Sequence, residues 1–244
     1  MSGKRYRFFN GLVTGILDET ANVKRFFIRI PELQRYDFHA GQFTMLDLPI
    51  LSKVTTRSYS IASPPSGTNE IELVIVLKDG GLGTAYLFGE IRVGSFIRVS
   101  EPVGKFTRPR PEGFDSPLIF VCTGTGIAPF RSMILDILAH KVPFRQLILV
   151  SGCRTREDIL YHTEMQHLSE TVPGFRFIPV LSRPDPSDWQ GETGYVHPVY
   201  LNLLSEYPDA IFYLCGWKAM VQEARSKLAE RGVPKDRIRF ELYD

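Results

Sequence analysis

The sequence predicts two domains in tandem, an antiparallel β-barrel over residues 1–108 and an α/β domain with a parallel sheet over residues 109–244. Three observations predict it. Up to residue 108 the apolar runs are short, β-branched or aromatic, and bounded by Gly, Pro and Asn clusters, the pattern of close-spaced strands. The segment "RPRPEGFDSP" (108–117) is polar and proline-rich, as connections between domains are. After it, continuous apolar strands alternate with helical stretches, which calls for a parallel sheet covered on both faces.

In the first half the strands are "VKRFFIRI" (23–30), "FTMLDL" (43–48), "RSYSIAS" (57–63), "IELVIVL" (71–77) and "SFIRVS" (95–100). Only "GLGTAYLF" (81–88) reads as a helix, opening behind a glycine-rich turn. In the second half, "PLIFVC", "FRQLILVSG", "FRFIPVLS", "AIFYLCG" and "IRFEL" are strands, and "APFRSMILDILAH" is helical. The chain carries no internal repeat and no low-complexity tract.

Composition removes several functional classes. With 244 residues and 43% hydrophobic content, the chain can bury real cores. No apolar run approaches the roughly 20 residues that span a bilayer, and "MSGKRYRFFN" lacks the apolar stretch of a secretion signal, so a soluble, cytoplasmic protein without a membrane partner is expected. Cys122, Cys153 and Cys215 are odd in number and far apart in sequence, which argues against a disulfide framework, a zinc site or an iron–sulfur cluster. No metal is expected, and redox chemistry would need an organic cofactor. His39, His140, His162, His167 and His197 show no convergent spacing and read as structural or surface residues, and Trp189 and Trp217 read as packing residues. Residues 1–108 carry 14 Lys and Arg against 10 Asp and Glu, while residues 109–244 carry 15 against 17. The basic front half is either ordinary surface variation or a match for an acidic protein; no nucleic-acid partner is expected, and a monomer is.

Two glycine-rich turns carry chemistry. "VCTGTGIAPF" follows a strand and opens a helix: Gly124 and Gly126 permit a tight turn and close approach of backbone to a phosphate, and Pro129 fits a helix's first turn. A structural turn is the competing reading. The strand "LILVSG" then runs into Cys153 and Arg154, where NAD-binding sheets usually place a carboxylate; an arginine fork there suits a 2′-phosphate, and Arg183 ends the next strand at the same edge. "GGLGTAYL" is the second turn, with Gly80, Gly81, Gly83 and Thr84; alone it reads equally as a hairpin turn or a phosphate cradle served by Arg57.

The ordered set "RSYS", "GLGTAYL", "GTGIAP", "CGWKAM" and "ELY" resembles the ferredoxin-NADP reductase family over nearly the whole chain. The resemblance implies a β-barrel FAD-binding domain followed by a parallel-sheet NADP-binding domain, with FAD and NADP(H) as cofactors. It accounts for the cation, aromatic ring and hydroxyls packed into "TRSYSIAS": it implies that Arg57 neutralises the FAD diphosphate, Tyr59 stacks on the flavin, and Ser60 hydrogen-bonds near flavin N5, with Ser58 beside them. Gly81, Leu82, Gly83 and Thr84 would hold the FAD diphosphate, with Val76 and Lys78 just upstream. Thr123, Gly124, Thr125, Gly126, Ala128 and Pro129 would line the pyridine nucleotide, and "RTREDILY" resembles the stretch that runs along its adenosine end from Arg154 to Tyr161. "CGWKAM" supplies Cys215 beside nicotinamide C4, flanked by Gly216 and Met220, with Lys218 like the lysine of plant-type members. Glu241 and Tyr243 match the plant-type ending, Tyr243 over the flavin where nicotinamide enters; Asp244 after it departs from that ending. Ser60, Cys215, Glu241 and Tyr243 would form the catalytic cluster. The implied activity is electron transfer between NADPH and ferredoxin or flavodoxin. The reductase component of an oxygenase and an NAD(P)H-dependent flavin reductase share the scaffold, and a non-catalytic electron-transfer subunit is the alternative of another class.

Overall fold

The computed structural model describes residues 6–50, 53–109 and 115–243. The chain divides into two compact units, one running to Arg108 and including Arg131–Asp136, the other comprising Pro109–Phe130 and the chain from Ile137 onward. Part of the proline-rich segment, residues 110–114, and Asp244 lie outside the described residues.

The first unit is a six-stranded antiparallel sheet of β1 (Phe8–Thr20), β2 (Val23–Arg29), β3 (Phe43–Ile50), β4 (Lys53–Ser60), β5 (Glu70–Val76) and β6 (Phe96–Ser100), in the order β4-β3-β6-β1-β2-β5. A bridge between Ile61 and Leu73, with Ala62 N–H donating to Glu72 O at 2.8 Å, brings the two ends of this sheet together as a barrel. Phe26, Ile28, Leu46, Leu48, Ile71, Leu73, Ile97 and Val99 point inward and fill the interior. Helix α1 (Leu82–Gly89) follows β5 and seats Leu87 on that core.

The pattern of the sequence does not announce β1, because Gly11 and Gly15 break its alternation. Both glycines have a physical reason. A Cβ on Gly11 would stand 2.6 Å from Ile28 Cγ2 and 2.7 Å from Val99 Cγ2, so the strand passes closer to the core than any side chain allows. Gly15 lies where the pairing of β1 with β2 shifts register, a bulge that bends the strand.

The buried Glu72 of β5 accepts from Arg25 Nε at 2.6 Å and from Arg131 Nη1 at 3.1 Å, and Arg131 also donates to Ala62 O at 2.9 Å. A carboxylate so removed from water persists only with such partners.

The second unit is a parallel sheet of β7 (Leu118–Thr123), β8 (Leu147–Cys153), β9 (Phe175–Leu181), β10 (Glu192–Thr193), β11 (Ile211–Trp217) and β12 (Ile238–Tyr243), in the order β10-β9-β8-β7-β11-β12. The two-residue β10 is too short to leave a pattern. Helices α2 (Ile127–Ala139), α3 (His162–Thr171), α4 (Val196–Glu206) and α5 (Lys218–Glu230) connect the strands. The central strands are apolar throughout because both faces are covered, with Val199, Tyr200, Val221 and Leu228 of α4 and α5 packed on Val121, Val150 and Leu214. Strand order reverses at β7, whose neighbours are β8 and β11. The carboxyl ends of β7 and β11 thus flank a topological switch point, where open sheets of this kind bind ligands. Among the described residues no helix is long and apolar enough to cross a membrane.

Gly11→Ala should overpack the barrel, lowering unfolding free energy by about 1–3 kcal/mol in a denaturant titration. An unchanged midpoint would contradict the close approach at β1.

Candidate functional site

Each unit carries a candidate site of its own. In the barrel, β4 runs antiparallel to β3 with Leu46 opposite Arg57 and Thr44 opposite Tyr59. Arg57 is exposed, its Nη1 donating to Thr56 O at 2.9 Å, while Tyr59 lies half-buried against the barrel core and Ser60 is 6% exposed. Burial pushes the Tyr59 hydroxyl up to about 12, against the opposing pull of the Arg57 charge, so the ring is neutral at any working pH. Ser58 is exposed between them.

Further along the chain, the glycine turn meets this arginine. A Cβ on Gly83 would lie 3.2 Å from both Arg57 Cγ and Leu48 Cδ1, so the start of α1 is pressed against the arginine stem. The Thr84 hydroxyl donates to Gly81 O at 3.0 Å and accepts from Lys78 N–H at 3.1 Å, folding the turn. No side chain caps α1 and no acidic residue stands in its first turn. Its leading N–H groups and the Arg57 cation therefore converge, which is the chemistry a diphosphate requires. Val76 ends β5, and Lys78 and Leu82 are exposed beside the turn.

In the second unit β7 ends at Thr123, Gly124 adopts a φ of 52°, and one turn of 3-10 helix (Gly124–Gly126) leads into α2, with Pro129 in its first turn. Gly126 lies against β11: a Cβ there would fall 2.5 Å from Cys215 O. Gly216, with a φ of 132°, leaves room for Thr123, whose Oγ1 would be 2.5 Å from a Cβ at that position and accepts from Trp217 N–H at 3.2 Å. The Thr123 hydroxyl thus secures the turn out of β11. A Cβ on Gly124 would meet nothing within 4 Å, so the turn is open on its outer side. Ala128 and Met220 are buried and pack rather than present surface.

Arg154 and Arg183 come together at the carboxyl edge, both exposed, with Arg183 N–H donating to Arg154 O at 2.8 Å. Arg156, two residues on, is paired with Asp188 at 3.8 Å. Tyr161 opens α3 with a φ of 53° and is 4% exposed, so its ring offers a ligand little surface.

Two of the three cysteines, distant in sequence, meet at one level of the sheet, and Cys153 stands two residues further along β8. Cys122 of β7 is in register with Cys215 of β11 and Ser151 of β8, and Cys215 with Glu241 of β12. Cys215 is fully buried, its thiol held well above its ordinary value by burial and then by the Glu241 charge, with the neighbouring Tyr243 hydroxyl opposing. Burial likewise raises Cys122 and Cys153 to about 12. Glu241 and Tyr243 are both half-buried.

One expectation changes. Trp217 is 64% exposed and not a packing residue; following a glycine at the carboxyl end of a strand, it had no core to enter. Trp189 does pack, over Gly191, with its N–H donating to Glu192 O at 3.0 Å. Among the histidines, His197 bonds Tyr200 at 2.9 Å and pairs with Glu223 at 3.2 Å, bracing α4 on α5. No group of metal-binding side chains occurs among the described residues.

Known proteins carry the same plan. Residues 12–107 match the oxidoreductase FAD-binding domain and residues 120–226 the oxidoreductase NAD-binding domain. Ferredoxin–NADP reductase B of Sorangium cellulosum is 35% identical over 89% of this chain and 92% of its own. The reductase component of a Pseudomonas phenol 2-monooxygenase is 31% identical over 94% of this chain, which spans 65% of that protein. Among solved structures, a ferredoxin NADP+ reductase from Neisseria gonorrhoeae with bound FAD and NADP matches with a TM-score of 0.81 at 26% identity, over 98% of this chain and 99% of that one. These findings define an oxidoreductase that binds FAD and a pyridine nucleotide. The chain belongs to the ferredoxin-NADP reductase family.

The thiol environments make a direct test. In the native protein none of Cys122, Cys153 and Cys215 should react promptly with a disulfide reagent at pH 8, whereas all three should after unfolding. The folded thiols of Cys122 and Cys153 keep their protons to about pH 12 against 9.0 unfolded, so stability should be whole below pH 9 and fall as pH climbs beyond it. A fast native thiol would contradict this burial.

Proposed function

We propose that the chain passes electrons between NADPH and a one-electron carrier protein, ferredoxin or flavodoxin, through FAD bound by residues 1–108, with NADP(H) bound by residues 109–244. The observation that carries it is the pairing of two anion cradles of different build. The first combines a fixed cation with an uncapped helix start at Arg57 and Gly83, and the second joins an open glycine turn after β7 to two arginines that follow β8 and β9. The similarity to a ferredoxin–NADP reductase over 92% of that protein supports the choice of carrier.

FAD, when bound, supplies the change between hydride and single-electron chemistry. Arg57 and the first turn of α1, residues Gly81–Thr84, hold its diphosphate by charge and N–H donation. Tyr59 gives a neutral ring face to the flavin and Ser60 a hydroxyl near N5, with Ser58, Val76 and Lys78 bordering the cofactor. Thr123–Gly126 and the start of α2, with Ala128 and Pro129 shaping it, receive the nucleotide diphosphate. Arg154 and Arg183 take the 2′-phosphate, with Tyr161 stiffening the start of α3 behind them. Gly216 and Met220 shape the nicotinamide end. Cys215, Glu241 and Tyr243 form one polar group, and a thiol so buried acts by position, not as a thiolate. The excess of positive charge in residues 1–108 favours an acidic carrier.

A second reading, the reductase component of an oxygenase, is favoured by the phenol 2-monooxygenase relative. Steady-state rates with ferredoxin, flavodoxin and an oxygenase component as acceptors separate the two.

The arginine assignment predicts that Arg154→Ala raises KM for NADPH roughly ten- to a hundredfold, the loss of one charge-assisted pair, with KM for NADH within about twofold of wild type. Equal effects on the two nucleotides would remove the 2′-phosphate from this edge.

A further inference from the structure

An indole exposed over 64% of its surface, at the carboxyl end of β11 beside the topological switch point, calls for an explanation that packing does not give. The position of Trp217 is held on three sides. Gly216 before it takes a conformation open to glycine alone, its own N–H is bonded to Thr123 Oγ1 at 3.2 Å, and α5 begins directly after it. The residue is thus anchored by its backbone while its ring faces water.

The order of the strands indicates which part of a dinucleotide would meet it. Arg183 and Arg154 follow β9 and β8, the glycine turn follows β7, and Trp217 ends β11, so the four features stand in sequence along one edge. Adjacent strands are about 4.8 Å apart, which puts about 14 Å between the ends of β9 and β11. With a 2′-phosphate on the arginines and the diphosphate on the glycine turn, the remaining half of the molecule runs toward β11. The ring arriving there is the nicotinamide.

Resting on the nucleotide reading above, we infer that Trp217 presents its indole face to the nicotinamide and holds the oxidised form more tightly than the reduced one. The charge difference supplies the selectivity. The oxidised ring is a pyridinium cation, attracted by the negative face of the indole, and the reduced dihydro ring is neutral. Trp217 would then slow the departure of oxidised nucleotide and help set which way the pair of cofactors is biased.

The test uses the oxidised, FAD-loaded protein and calorimetric titration with three ligands that cannot reduce the flavin. These are NADP+, its uncharged 1,4,5,6-tetrahydro derivative, and 2′,5′-ADP, which lacks the nicotinamide half. Trp217→Leu keeps an apolar side chain without the ring, and an unchanged thermal midpoint shows the fold intact. The expected result is a Kd for NADP+ weakened roughly two- to fivefold, with the other two ligands unaffected. Trp217→Phe should fall between. Equal weakening of NADP+ and its tetrahydro derivative would overturn the charge selectivity, and weakening of 2′,5′-ADP would place the indole at the adenosine end. Unchanged binding of all three would remove Trp217 from the site while leaving the nucleotide reading in place. Failure of wild type to bind any of the three would sink that reading and this inference together.

Discussion

Two backbones in the second unit approach so closely that only hydrogen fits between them, and the proposed nucleotide site depends on it. Gly126, at the end of the turn into α2, lies against the carbonyl of Cys215, and Gly216 yields its side-chain space to Thr123. Any larger residue at 126 would meet backbone, not a movable side chain, and would push β11 from the end of β7. The helix start and the switch point would then separate, and the N–H groups aimed outward from the turn would lose their common focus. Gly83 performs the same service in the barrel, where the absence of a Cβ lets α1 begin against the stem of Arg57. In both units the proposed phosphate site is made by subtracting a side chain, so that backbone donors and a fixed charge share one small region.

The electrostatics around these points divide into two kinds. The charges of the proposed phosphate sites, Arg57, Arg154 and Arg183, are exposed. Inside the barrel the Glu72 carboxylate is matched by Arg25 and Arg131, and in the second unit Cys215 lies in register with Glu241. A buried carboxylate without such partners would cost far more than this arrangement does. The alignment of Cys122, Cys215 and Glu241 across three strands makes the polar end of the sheet a single packed unit.

Much of this was legible because the local signals are strong. Continuous apolar strands followed by helices announce a parallel sheet, and a glycine turn between strand and helix marks the edge proposed to bind nucleotide. What was hidden depended on contacts distant in sequence. The glycines of β1 disguised a thirteen-residue strand, since the close approach that requires Gly11 involves Ile28 and Val99. The pairing of Cys122 with Cys215 on adjacent strands follows from strand order, which no spacing reveals. Tyr161 closes a recognisable motif yet turns its ring inward through a left-handed backbone, and Trp217, expected inside, stands in water because its strand ends there. Aromatic residues at strand ends are poorly read from pattern, since one residue of register decides between core and crevice.

The proposed activity requires that a flavin in the first unit be reducible by a pyridine nucleotide bound to the second. Anaerobic rapid mixing of the FAD-loaded protein with one equivalent of NADPH tests this without any carrier protein. The visible flavin band should bleach in a saturable, first-order phase, with oxidised nucleotide formed in equal amount. Protein that binds both cofactors while its flavin stays oxidised would contradict it.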